Sequence, residues 1–111
     1  MDITDPSKNY SISHPANATF MMKHFTMAMQ EIVDRECLIQ EGNGYRWDIT
    51  REREIKIEQC LIGWDGINFE GSPLPFSVEN SKKLPVGIVI WLVKDIDEKA
   101  GVRMAEAEKK S

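Results

Sequence analysis

His14 and His24 are the only histidines in the chain, and both fall where apolar and polar residues alternate. Two strands joined as a hairpin could bring such residues opposite one another, so a two-histidine site is conceivable. Zinc, however, takes three or four ligands at a recognisable spacing, and no cysteine or acid stands in such a spacing with these two. They read as ordinary strand-surface histidines. Asp65, Asp95 and Asp97, with Glu70 and Glu79, could form carboxylate pairs. Such pairs do acid–base work only when their surroundings push their pKa values apart, and with 18 acids in 111 residues chance neighbours are common. The run Asp65 to Glu70 has neither the alternating oxygen ligands nor the closing glutamate of a calcium loop. There is no glycine-rich phosphate loop, nucleophile elbow, Cys-His pair or zinc-peptidase motif. No catalytic residue, cofactor site or metal ligand is assigned, and the chain reads as a non-enzyme.

The other reactive side chains point the same way. Cys37 and Cys60 lie beside Leu38 and Leu61 in apolar-periodic stretches, the setting of buried thiols rather than of a disulfide framework. Six methionines include Met21, Met22, Met27 and Met29. Methionine fills small cores, and its unbranched thioether also makes an adaptable binding surface. On the second reading Met22 and Met29 are candidate partner-binding residues, together with the aromatic side chains Trp64, Phe76 and Trp91.

The elements that must position these residues begin after a polar leader, residues 1–8. Tyr10 to His14 and Ala18 to His24 alternate about Pro15-Ala16-Asn17, which predicts an N-terminal β-hairpin. From Thr26, a plausible N-cap, the period becomes helical through Met29, Ile32, Val33 and Cys37. The helix is expected to end near Gln40, before Gly42-Asn43-Gly44, with Tyr45 to Asp48 as a connection. Asp48 or Thr50 caps the next element, Arg51 to Ile62. Its core string Glu54-Ile55-Lys56-Ile57-Glu58 alternates like a strand, but twelve residues without glycine or proline favour a helix.

Gly63 to Phe76 carries three glycines and two prolines, which exclude a long regular element. It also holds Trp64, Ile67, Phe69 and Phe76, so it reads as an ordered loop pinned to the core by its aromatics. Ser77 caps a short helix, Val78 to Lys83. Pro85 opens a last helix, Val86 to Ala100, with a stop expected at Gly101. Residues 102–111 form a charged tail that either extends the helix or frays. The expected architecture is a single α+β domain over residues 9–101, an N-terminal β-hairpin packed on three to four helices.

The totals limit the partners. Fourteen Lys and Arg against 18 Asp and Glu leave a formal charge of −4, and the richest basic stretch, Arg51 to Lys56, is interleaved with Glu52 and Glu54. Nucleic-acid binding draws on unopposed cations, so that partner is not expected. The longest apolar stretch, Val86 to Val93, is far short of the roughly 20 residues of a membrane span. The first residues carry no basic, apolar secretory signal. The reading is a cytoplasmic protein that works through a protein–protein surface.

One stretch carries a resemblance. A helix end with Ile62-Gly63-Trp64-Asp65-Gly66-Ile67 is followed by Gly71-Ser72-Pro73-Leu74-Pro75-Phe76-Ser77-Val78-Glu79-Asn80 and a terminal apolar helix. This order resembles the small tail proteins of long-tailed bacteriophages, in particular the tail assembly chaperones encoded near the tape-measure protein. There too a Trp-centred motif leads through an acidic, glycine-containing turn to Pro-Phe-Ser and a Glu-Asn helix start. The resemblance covers roughly residues 60–100, and the N-terminal hairpin only loosely. It implies a non-enzymatic protein that coats the helical tape-measure protein, keeps it soluble, helps recruit tail-tube subunits and self-associates. It also implies a longer form made by translational frameshift, with which the ending Glu108-Lys109-Lys110-Ser111 is compatible. The rival readings are a head–tail connector or tail-completion protein, a small metal-dependent hydrolase using His14 and His24, and a host-directed inhibitor.

Overall fold

The computed structural model describes residues 8–110, with side chains over 8–101; most of the leader lies outside the described residues. The first hairpin pairs β1 (Tyr10–His14) with β2 (Ala18–Met22), His14 opposite Ala18 and Tyr10 opposite Met22. Its three-residue turn closes with Asn17 at φ 65°, a left-handed position that asparagine tolerates. The second strand stops at Met22, two residues before His24.

Helix α1 (Met27–Cys37) starts on Thr26, whose hydroxyl accepts from the Met29 N–H. It ends three residues earlier than its sequence suggests, because residues 38–47 form a second hairpin. Strand β3 (Leu38–Glu41) and β4 (Gly44–Trp47) pair antiparallel, with Leu38 opposite Trp47 and Gln40 opposite Tyr45. The connection is the two-residue turn Gly42-Asn43, with Gly42 at φ 61°, the conformation glycine supplies at the first position of a type II′ turn. The Asp48 N–H donates to the Cys37 carbonyl at 2.8 Å and closes the ribbon at its foot.

Helix α2 (Ile49–Cys60) is capped by Asp48, which accepts from the Arg51 N–H at 3.0 Å. Its alternating string has a three-dimensional cause. Ile55 packs with Val33 and Cys37 in one core, while Ile57 and Cys60 pack with Phe20, Met22, Leu92 and Ile96 in another. Two helical residues apart is about 200° of rotation, so a helix gripped on both sides shows a period near two.

Strand β5 (Leu61–Asp65) follows α2 directly, where a helix end and the start of a loop were expected. It pairs antiparallel with β2, giving a three-stranded sheet of order β1-β2-β5 with an irregularity between Met21 and Met22. Phe20 stands opposite Trp64, and the inward face of the sheet rests on the last helix. Beyond β5 the chain makes a miniature hairpin, β6 (Asn68–Phe69) and β7 (Ser72–Pro73), about Glu70 and Gly71, both at positive φ. Gly66, at φ 83°, passes so near Asn17 that a Cβ there would collide with its carbonyl oxygen; only glycine fits.

Ser77 caps α3 (Val78–Ser81), accepting from the Asn80 N–H at 2.9 Å. Helix α4 (Val86–Lys110) buries Leu92 and Ile96 and does not stop at Gly101. A glycine inside a helix costs about 1 kcal/mol relative to alanine. The Ala-, Glu- and Lys-rich residues after it hold no proline and favour continuation. The fold is α+β, with the N-terminal hairpin, completed by β5, packed on four helices.

Candidate functional site

Of the five candidate side chains, two lie in the core. Met22 is fully buried and Trp64 nearly so. The Trp64 indole N–H donates to the Leu74 carbonyl at 2.7 Å, and its ring meets Phe76 edge-on at 5.1 Å. These two contacts pin the irregular segment 66–76 against β5, as expected for Trp64 and Phe76; Phe69, also expected to pin it, is exposed instead and lies under Lys83. Met29, Phe76 and Trp91 are partly buried against the same core. The Trp91 ring packs between helix and sheet, 6.0 Å from Phe20 and 4.7 Å from His14. Met29 sits 3.9 Å from the Cys60 sulfur. None of the five presents a wholly open surface.

The polar residues weighed for chemistry are similarly placed. Hairpin register puts His14 at the turn end, with Nδ1 accepting from the Ala16 N–H, and His24 beyond the other end of β2 against the Tyr10 ring. The four steps from Ala18 to Met22 alone span about 13 Å, so the pairing separates the two histidines. Asp95 accepts from the Tyr10 hydroxyl at 3.1 Å and pairs with Lys99 at 2.8 Å. Burial, then Asp95, raises the Tyr10 hydroxyl above the ordinary tyrosine range. Among the described residues no group of three or more His, Cys, Asp or Glu is arranged to hold a metal. Cys37 and Cys60 are buried, unpaired thiols, and burial pushes Cys60 up to about 12, the inert condition of a core cysteine. Among the described residues no helix is long and apolar enough to cross a membrane.

Two surface features stand out among the described residues. One is a cleft of about 520 Å³ between α2 and the α3–α4 corner, lined by Ile57, Leu84, Val86 and Val89 and by the charged Arg53, Glu54, Glu58 and Lys82. Charges of both signs share it, so its lining favours no one ligand. The other is the β3–β4 ribbon. In an antiparallel pair, opposed residues share a face, so Leu38, Gln40, Tyr45 and Trp47 line one side of it. Leu38 is 52% exposed, Tyr45 70% and Trp47 41%. Neither strand of the ribbon pairs with the main sheet. Ile49, next along the chain, is half exposed as well.

The ribbon's foot is held electrostatically. The Trp47 indole N–H donates to Glu52; the other Glu52 oxygen accepts from Lys56 at 2.7 Å, and Lys56 also reaches Asp97 of α4 at 2.8 Å. The Lys56 side chain is 94% buried, and a buried charge is tolerable when paired and hydrogen-bonded in this way. Burial alone would raise Glu52, but hydrogen bonds from Lys56 and Trp47 outweigh it and hold the carboxyl below its ordinary value. Burial alone would lower Lys56, and its bonds to Asp97 and Glu52 hold it above the ordinary lysine value. A chain of contacts thus runs from the ribbon's tryptophan to α4. Sequence reasoning missed this surface because Leu38 to Trp47 was divided between a helix end and a connection. The available signal was Gly42-Asn43-Gly44 between two short alternating runs.

No protein-family model, curated protein or solved structure matches this chain.

Proposed function

We propose that this chain is a non-catalytic protein-binding protein of phage tail assembly, a chaperone that holds the tape-measure protein and assists tail-tube subunits, acting as a homo-oligomer in the host cytoplasm. The observation that carries the protein-binding reading is the ribbon β3–β4: a two-stranded element outside the main sheet, with Leu38, Tyr45 and Trp47 exposed along one face. Two-stranded hairpins are marginal in water, and exposed aromatic side chains with few rotatable bonds are favoured anchors for a protein partner. The tail-assembly role rests on the resemblance carried by Ile62 to Ile67 and Gly71 to Asn80. Those residues form β5, the Trp64-pinned segment and the start of α3, so they act by supporting the fold; in the methionine cluster Met22 is buried while Met21 and Met27 are exposed, and the ribbon adds three large exposed side chains on one face.

The test is co-expression with the tape-measure protein encoded in the same genome. The expected result is a soluble complex that survives affinity purification and size exclusion. A tape-measure protein that stays insoluble, while this chain alone forms a ring of fixed number by light scattering, would overturn the chaperone reading in favour of a connector.

A further inference from the structure

The ribbon's aromatic face borders an acidic part of the molecule, and its Trp47 indole donates to the Glu52 carboxylate. Residues 27–60, which form α1, the ribbon and α2, hold eight carboxylates against five cations, a net charge of −3. Many of these charged groups line α2, the helix that follows the ribbon. Arg51 alone faces three carboxylates: Glu36 at 2.7 Å, Glu54 at 3.1 Å and Glu58 at 3.6 Å. Lys56 faces two, Glu52 and Asp97. A guanidinium donates five N–H bonds but carries one charge, so these two clusters hold five carboxylates against two cations, and with Arg53, which also acts on Glu52, the balance stays negative. Glu36 is 38% exposed and Glu54 50%, open to a further cation. The ribbon's own Arg46 does not supply one to the aromatic face, because its register opposite Ile39 puts it on the other side, where it pairs with Glu41.

Resting on the protein-binding reading above, we infer that the occupant of the ribbon is a basic amphipathic segment, its apolar stripe over Leu38, Tyr45 and Trp47 and its lysines or arginines beside Glu36 and Glu54. Charge complementarity selects it. A second copy of this chain meeting ribbon to ribbon would set one −3 region against another, and opposed like charges disfavour that contact. An acidic client meets the same repulsion. A basic one gains twice, since its cations can neutralise the surplus carboxylates and can stack on the indole and phenol faces.

The experiment uses the full chain and two synthetic 18-residue amphipathic helices with one leucine stripe, the polar face lysine in one and glutamate in the other. Fluorescence anisotropy is expected to show binding of the lysine peptide only, weakening about tenfold as salt rises from roughly 50 to 500 mM through screening. Glu36→Gln with Glu54→Gln is expected to weaken it severalfold, and Tyr45→Ser to abolish it, each variant keeping the wild-type circular dichroism. Equal binding of both peptides, or binding of the lysine peptide unaffected by salt or by Tyr45→Ser, would overturn the inference. So would a dimer in sedimentation that Tyr45→Ser dissolves, since the occupant would then be a second copy. If neither peptide binds while the tape-measure complex still forms, the charge inference falls and the functional reading stands. If the complex fails as well, both fall.

Discussion

The sheet β1-β2-β5 and the ribbon β3–β4 are made of strands of nearly equal length, yet the first buries Ala18, Phe20 and Met22 while the second leaves Leu38, Tyr45 and Trp47 in water. The difference lies in what is beneath them. Under the sheet runs α4, whose Leu92 and Ile96 complete a core, and the alternation of β2 turns its apolar residues onto it. The ribbon is tied to the rest of the chain mainly at its foot, by the Asp48–Cys37 bond and the Trp47–Glu52–Lys56 chain. The sheet's apolar residues serve stability, and the ribbon's stay exposed, which is why we propose them as the surface for another molecule.

Substitutions should separate the two regions. The largest effect belongs to Phe20→Ala, which opens a cavity where β2, β5 and α4 meet. A loss of about 3–5 kcal/mol in denaturant unfolding is expected, enough to unfold much of a small domain's population. Next comes Trp64→Phe, which keeps the ring but removes the donor to Leu74. A loss of about 1–2 kcal/mol is expected, with faster proteolysis within residues 66–76 as its local signature. A loss below 0.5 kcal/mol would mean that the segment is held by Phe76 and Leu74 packing alone.

The pH dependence is smaller and concerns the ribbon's foot. The Glu52 carboxyl is held below its ordinary value, so its contribution is present above the unfolded pKa and is lost as pH falls through the folded one. Lys56 is held above its ordinary value, so its contribution is present below the unfolded pKa and is lost only as pH rises through the folded one. Between about pH 5 and pH 3 the wild type should therefore lose more stability than Glu52→Gln. Parallel curves in urea titrations would show that the Glu52–Lys56 pair is energetically idle.

The sequence was most legible where local chemistry and tertiary structure agree. Tyr10 to Met22 alternates as a half-buried hairpin should, Thr26 and Ser77 cap helices, and Trp64 with Phe76 pins an irregular segment. It was least legible where partners distant along the chain decide. Leu61 to Asp65 is a strand because β2 offers it an edge, which nothing in five residues after a helix announces. Leu38 to Glu41 could continue α1 by composition, and only the turn at Gly42 sends it back as a ribbon. Met22 and Met29 were ambiguous for the same reason: a methionine in a core and one on a binding surface look alike until the packing is known. The proposed docking surface was missed with the ribbon.

The measurement that bears most directly on the account compares one variant, Leu38→Ser with Tyr45→Ser, in two assays. Both side chains are at least half exposed, and Trp47 keeps its bond to Glu52. The account predicts a change in unfolding free energy of no more than about 1 kcal/mol, together with loss of the complex with the tape-measure protein. A variant that unfolds readily, or one that still co-purifies with the tape-measure protein at the wild-type level, would contradict it.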